Sequence, residues 1–156
     1  MRLGLVALFA LAACQPAQTP NAASPEINIA EPSVPALPLV TTLAGEWRVA
    51  GVDGKEFNQP VGIALSADDE EIWWAPRCAG VVHTYRIQGA SFSTGPHKGY
   101  VPRKPGEPTP PVCAIGLPER LGEVVRALTS ATTIRRTANN GVELSGGGHS
   151  LLLFSQ

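Results

Sequence analysis

The three cysteines of this sequence, Cys14, Cys78 and Cys113, are the side chains with the widest choice of chemistry. Cys14 ends an apolar N-terminal run and stands apart from the other two. If its thiol carries a modification, Cys78 and Cys113 remain as one pair, which is expected to form a disulfide in an oxidising compartment. Zinc binding is the rival use of two cysteines, but neither belongs to a Cys-x-x-Cys motif and only His83 lies near them. The sequence therefore predicts a Cys78–Cys113 disulfide and no metal site.

Side chains that serve as acids, bases or nucleophiles form no recognisable catalytic set. His83, His97 and His149 are widely spaced, and we interpret each as a surface or hydrogen-bonded structural histidine. The acidic residues at 68–71 are adjacent, which is typical of a solvated turn and not of two carboxyls tuned to different pKa values. The glycine-rich run at 145–148 lies between two predicted strands and not before a helix, so it is interpreted as a turn. We expect no catalytic residues and no cofactor.

Two adjacent tryptophans, Trp73 and Trp74, are the strongest candidates for a binding surface. Consecutive strand residues point to opposite faces, so one tryptophan enters the core and the other points outward unless a helix or loop covers it. An exposed tryptophan near Arg77 and Arg86 would offer a contact region for a peptide, a glycan or a lipid headgroup. The alternative is that both tryptophans are buried, one on each face of a covered sheet.

The N-terminal residues 1–13 have the pattern of a secretory signal peptide. Arg2 supplies a positive charge, and residues 3–11 form an apolar run that ends in small residues. This run is too short to span a bilayer, which takes about 20 apolar residues. We therefore expect residues 1–13 to direct export and to be removed.

Residues 11–14, with the sequence Leu-Ala-Ala-Cys, resemble the lipobox of bacterial lipoproteins. In that family, diacylglycerol is attached to the cysteine thiol before the chain is cleaved on its N-terminal side. The resemblance implies that Cys14 is lipidated and that its acyl chains hold the protein on a membrane. Aspartate after this cysteine usually marks inner-membrane retention in the family, and Gln15 stands there instead, which favours a periplasm-facing position on the outer membrane. The alternative is an ordinary signal peptide with an incidental cysteine.

Composition divides the exported part into a tether and one domain. Residues 14–40 are rich in proline and alanine and lack a hydrophobic period, so we expect a disordered, largely extended tether. Residues 41–156 suffice for one domain with a small core. The formal net charge of the chain is −1 and no basic run stands out, which disfavours nucleic acid as a partner.

Hydrophobic periodicity predicts an α+β domain. Short strands separated by turn residues are predicted, with no alternation of strands and long helices. One helix is predicted over 118–130, because Leu117, Leu121, Val124, Val125 and Leu128 recur at helical spacing. The strands are predicted at 43–52, 61–65, 70–74, 81–87, 90–93, 132–137, 142–145 and 150–154. We expect an antiparallel β-sheet or partly closed barrel with one packed α-helix.

The order of motifs over residues 43–154 resembles that of the META domain family of HslJ-like bacterial envelope proteins. The matching features are a Leu-x-Gly-x-Trp opening at 43–47, Cys78 followed by Thr84 and Tyr85, Cys113 before the helix that contains Glu119 and Leu128, and a closing Leu-x-Phe at 152–154. The chain departs from the family at 77–79, where it has Arg-Cys-Ala in place of Gly-Cys-Asn, and at His83, where the family has glycine. The resemblance implies a small envelope domain, and it assigns no catalytic residue.

These expectations together favour a membrane-anchored envelope lipoprotein with a non-catalytic, META-like domain. Its role would be binding or accessory, in the envelope or in stress tolerance. The expected partners are the membrane, through the lipid anchor, and an envelope protein or glycan. The alternative is a periplasmic hydrolase that has diverged beyond recognition. A pocket with convergent polar groups and perturbed pKa values would favour the hydrolase.

Overall fold

A computed structural model describes residues 36–108 and 115–156 of the chain, all of which belong to one compact unit. The predicted signal peptide, Cys14, residues 14–35 of the predicted tether and Cys113 lie outside the described residues. Val40, at the end of the predicted tether, is 3% exposed and packs in the core. The packed domain therefore includes a residue that precedes its predicted boundary.

The described residues form nine strands, one α-helix and one short 3₁₀ turn. The strands are β1 (Gly45–Val52), β2 (Lys55–Glu56), β3 (Ala64–Ala67), β4 (Glu71–Trp73), β5 (Val82–Gln88), β6 (Ser91–Pro96), β7 (Thr133–Arg136), β8 (Val142–Gly146) and β9 (His149–Ser155). The helix α1 covers Leu121–Ser130 and lies between β6 and β7, and the 3₁₀ turn is Arg77–Ala79.

Eight of these strands close into an antiparallel barrel. The order around the barrel is β1, β3, β4, β5, β6, β7, β8 and β9, and β9 pairs with β1 to complete it. The short strand β2 pairs only with the end of β1, at Gly51 and Val52. The predicted fold class is confirmed, and the barrel is closed. Closure leaves no long sheet edge, because the last strand supplies the hydrogen-bonding partners of the first.

Strand β1 shows how the sequence pattern produces the barrel wall. Trp47 and Val49 are buried, whereas Glu46 and Arg48 are exposed, as period-two alternation predicts. The register with β9 shifts between Val49 and Gly51, which marks a β-bulge. A bulge bends a strand, and β1 pairs with β3 before this point and with β2 after it.

The helix packs its apolar stripe against the barrel. Leu121, Val124, Ala127 and Leu128 are buried, and α1 contacts β1, β6, β8 and β9. The prediction of the stripe was wrong at Leu117, which precedes the helix and is 57% exposed. The helix also begins at Leu121 and not at 118, because the N–H of Leu121 bonds to the carbonyl of Pro118 in a preceding turn.

The sequence patterns placed most strand positions but missed two features. The two-residue strand β2 was not predicted, and β6 extends to Pro96, beyond the strand predicted at 90–93. Both features depend on pairing with a neighbouring strand and not on a local apolar pattern. The core itself is continuous and apolar, and its largest fully buried side chains are Leu43, Ile63, Leu65, Ile72, Leu128, Leu144, Leu151, Leu153, Val49, Val124 and Val142.

Candidate binding site

The turn between β3 and β4 is held rigidly by its own side chains. The Asp68 carboxylate accepts the N–H groups of Glu70 at 2.9 Å and Glu71 at 2.7 Å, which is an Asx-type turn. The Tyr85 hydroxyl donates to the Asp68 carbonyl at 2.6 Å and accepts the N–H of Leu43 at 3.0 Å. This turn therefore has a defined position beside β5.

Glu71 is the buried member of the acidic run, with 7% of its surface exposed. Its carboxylate accepts the backbone N–H of Lys98 at 2.7 Å and an Nη1–H of Arg77 at 2.7 Å. These two hydrogen bonds lower the pKa of Glu71, and the bond from the Lys98 N–H has the larger effect. The prediction of a wholly solvated acidic turn was therefore wrong at Glu71. Its cover comes from Lys98, which is distant in sequence, so local pattern could not reveal it.

The two tryptophans occupy different environments. The Arg77 guanidinium lies 3.7 Å from the centre of the Trp73 ring, a cation–π geometry. Trp74 packs against the hydrophobic core. Both side chains are partly buried, so neither is a widely exposed aromatic surface. The structure brings Trp73 and Arg77 together and gives Trp74 mainly a packing role.

A cavity of about 570 Å³, here named the main cavity, lies beside β5. Its walls are Thr41, Asp69, Glu70, Lys98 and the run from Thr84 to Gln88. Lys98 and Glu70 form an ion pair across it. Arg86 also lines it and has no ion pair among the described residues. Of the four predicted binding residues, Arg86 is thus the one placed at the main cavity.

A second cavity of about 250 Å³ shares Lys98 with the first. Arg77, Glu71, Val82 and His97 are among its walls. Trp73 and Trp74 belong to neither lining. The candidate site is therefore the pair of cavities along β5, with Arg77 and Arg86 in it. Sequence reasoning missed Gln88, the last residue of β5, and it missed Lys98 and Asp69, which lie beside β5 only in the folded sheet.

The histidines have structural surroundings in the described residues. His149 Nδ1 lies 3.0 Å from the Asp53 carboxylate, which also accepts the Ser150 N–H at 2.9 Å. These contacts lower the pKa of Asp53, and the hydrogen bond from the Ser150 N–H has the largest effect. They also join the β1–β2 turn to the start of β9. Burial lowers the pKa of His83 on β5. The described residues contain no group of three or more His, Cys, Asp or Glu side chains arranged to hold a metal ion.

Cys78 lies in the 3₁₀ turn beside Arg77 and is disulfide-bonded. Cys113 lies outside the described residues, so the pairing of Cys78 with Cys113 stays a prediction. We expect the unfolded, unreduced mature chain to show no reactive thiol, with one bridged peptide joining residues 78 and 113 in a non-reducing digest. Free thiols at both positions in protein taken from the periplasm would contradict the pairing.

None of the helices among the described residues has the length and apolar character needed to cross a bilayer. Comparison of the chain with models of known protein families, with curated proteins and with solved structures gave no match. We therefore infer the function of the protein from its sequence motifs and from the geometry of the candidate site.

Proposed function

We propose that this protein is a lipid-anchored lipoprotein of the bacterial envelope whose META-like domain acts by binding and not by catalysis. The observation that carries the binding role is the cavity of about 570 Å³ beside β5, which has polar and charged walls on a barrel with an apolar core. Ligand sites are concave and place a few polar groups to fix the orientation of the ligand. Tethered on the membrane through Cys14, the domain would present this cavity to periplasmic ligands.

The state of Glu71 supports binding over the alternative of a diverged hydrolase. Glu71 is the buried charged side chain of the described residues. A general acid at neutral pH needs a raised pKa, whereas the N–H of Lys98 and the side chain of Arg77 lower the pKa of Glu71. Both carboxylate oxygens are engaged by these donors, which suits a structural role.

The lipid anchor is tested by changing Cys14→Ser. We expect loss of acyl labelling and loss of processing by the lipoprotein signal peptidase, because the serine hydroxyl does not replace the thiol that carries the lipid. The protein should also leave the membrane fraction, since acyl chains are the attachment and each buried CH₂ contributes about 0.8 kcal/mol. A variant that still labels and still fractionates with membranes would show that Cys14 is not the anchor.

The binding role is tested with a photo-crosslinking amino acid at Gln88, a wall residue of the main cavity. In envelopes that contain the lipidated chain, irradiation should give a specific adduct from this position. The matched control carries the same amino acid at Arg48, which is exposed on β1, away from the cavity. Absence of any adduct from position 88, or equal adducts from both positions, would exclude a binding role for the cavity.

A further inference from the structure

Strand β5 is longer than the strand that pairs with it on one side. Strand β4 pairs with β5 at three positions, Glu71 with Thr84, Ile72 with His83 and Trp73 with Val82. The Tyr85 N–H donates one more bond, of 2.9 Å, to the carbonyl of Glu70. The chain then turns away at Asp68, whose own N–H bonds back to the Glu71 carbonyl. The remainder of β5, from Arg86 to Gln88, has none of the nine described strands beside it on this side.

The direction of the Ile87 backbone follows from the antiparallel pattern. Ile87 stands opposite Phe92 of β6, and the N–H of Phe92 bonds to the carbonyl of Thr132, away from β5. Ile87 and Phe92 are therefore a non-hydrogen-bonded pair. The backbone N–H and C=O groups of alternate strand residues point to the same side of the strand. Those of Ile87 therefore point to the same side as those of Tyr85, which is the side of β4 and Glu70. No residue in the described part of the chain donates to or accepts from them.

The main cavity lies at this free stretch of strand. Tyr85, Arg86, Ile87 and Gln88 are consecutive wall residues of the cavity, and Thr41 and Asp69 also line it. The side chain of Ile87 packs against the core, so Ile87 presents its backbone to the cavity. A free strand edge beside a cavity is a template for another extended chain.

We infer that the cavity binds an extended peptide of an envelope protein. The peptide pairs with β5 as a short added strand, beyond the point where β4 stops pairing with β5. This inference rests on the proposed binding function and names its ligand class. A peptide repeats N–H and C=O groups at the spacing of the strand edge, and a glycan does not. The peptide residue opposite Arg86 lies on the same face as its guanidinium, so a carboxylate is favoured there.

The test uses the full chain in detergent micelles and an acetylated, amidated peptide, Thr-Val-Glu-Val-Thr, at millimolar concentration. Hydrogen exchange measured by NMR should show protection of the Ile87 amide when the peptide is added, because this N–H gains an acceptor. The same peptide with every backbone nitrogen methylated should give no protection, because neither edge of that peptide can pair with a strand. Arg86→Gln should weaken binding about threefold, the size of one cross-strand charge pair. Arg48→Gln should leave binding unchanged.

Two outcomes would overturn the inference. If the peptide does not protect the Ile87 amide, or if the methylated peptide protects it equally, the β5 edge does not accept a strand. An adduct from the crosslinker at position 88 that is a glycan or a lipid would give the cavity another ligand class, while the binding function would stand. Absence of any adduct would instead remove the proposed function.

Discussion

Replacing Glu71→Gln is expected to lower the free energy of unfolding by about 2 kcal/mol at neutral pH. The amide cannot reproduce two charge-assisted hydrogen bonds, and its NH₂ group would face a donor, either Arg77 or the Lys98 N–H. The loss stays moderate because the Arg77 side chain is 45% exposed and can regain water. Denaturant titration followed by the fluorescence of the three tryptophans measures the change.

Glu70→Gln is the matched control for this experiment. Glu70 also forms an ion pair, with Lys98, but the two side chains are 64% and 57% exposed. Exposed pairs contribute about 0.2 to 1 kcal/mol, so this variant should be nearly as stable as the parent. Equal losses from the two substitutions would show that burial of Glu71 contributes nothing particular.

The contribution of Glu71 should also depend on pH. Because folding lowers the pKa of Glu71, its stabilisation is complete above the ordinary value of 4.5 and is lost as the pH falls through the folded pKa. The stability difference between the parent and Glu71→Gln should therefore shrink as the pH falls below about 4.5. A difference that stays constant across this range would contradict the role assigned to the charged carboxylate.

Gly146→Ala is expected to have the largest effect on the fold, a loss of about 3 to 4 kcal/mol. A Cβ at Gly146 would lie 2.5 Å from the N of Thr132 and 2.7 Å from the carbonyl oxygen of Ser130. These are backbone atoms at the point where α1 joins β7, so they cannot move aside cheaply. Gly146 also has a φ of +155°, which side chains rarely adopt. Denaturant titration against the parent chain measures the loss.

Gly148→Ala separates crowding from backbone conformation at the same hairpin. Gly148 has a φ of +82°, and a Cβ there would meet nothing within 4 Å. The cost should be that of a left-handed residue alone, about 1 to 2 kcal/mol. If the two substitutions destabilise the protein equally, close approach of α1 to the β8–β9 hairpin is not what requires glycine at 146.

The sequence alone predicted those features that depend on local chemistry and period. Alternation identified β1, because Trp47 and Val49 must share a face that Glu46 and Arg48 avoid. Helical spacing identified α1, and the glycines at 146–148 identified the turn before β9. The signal and lipobox patterns are local too, which is why they support a proposal about Cys14 without any contribution from the fold.

The tertiary structure decided where chemistry is brought together. Pairing of β5 with both β4 and β6 brings the Lys98 N–H to Glu71, although 27 positions separate them, and makes one carboxylate of an acidic turn a buried hydrogen-bond acceptor. The fold also places the free stretch of β5 beside Thr41 and Asp69. Local pattern predicts a strand, but the length of its neighbours determines which backbone groups stay unpaired. Such pairing is a property of contacts between distant segments, and it becomes visible only when the barrel is formed.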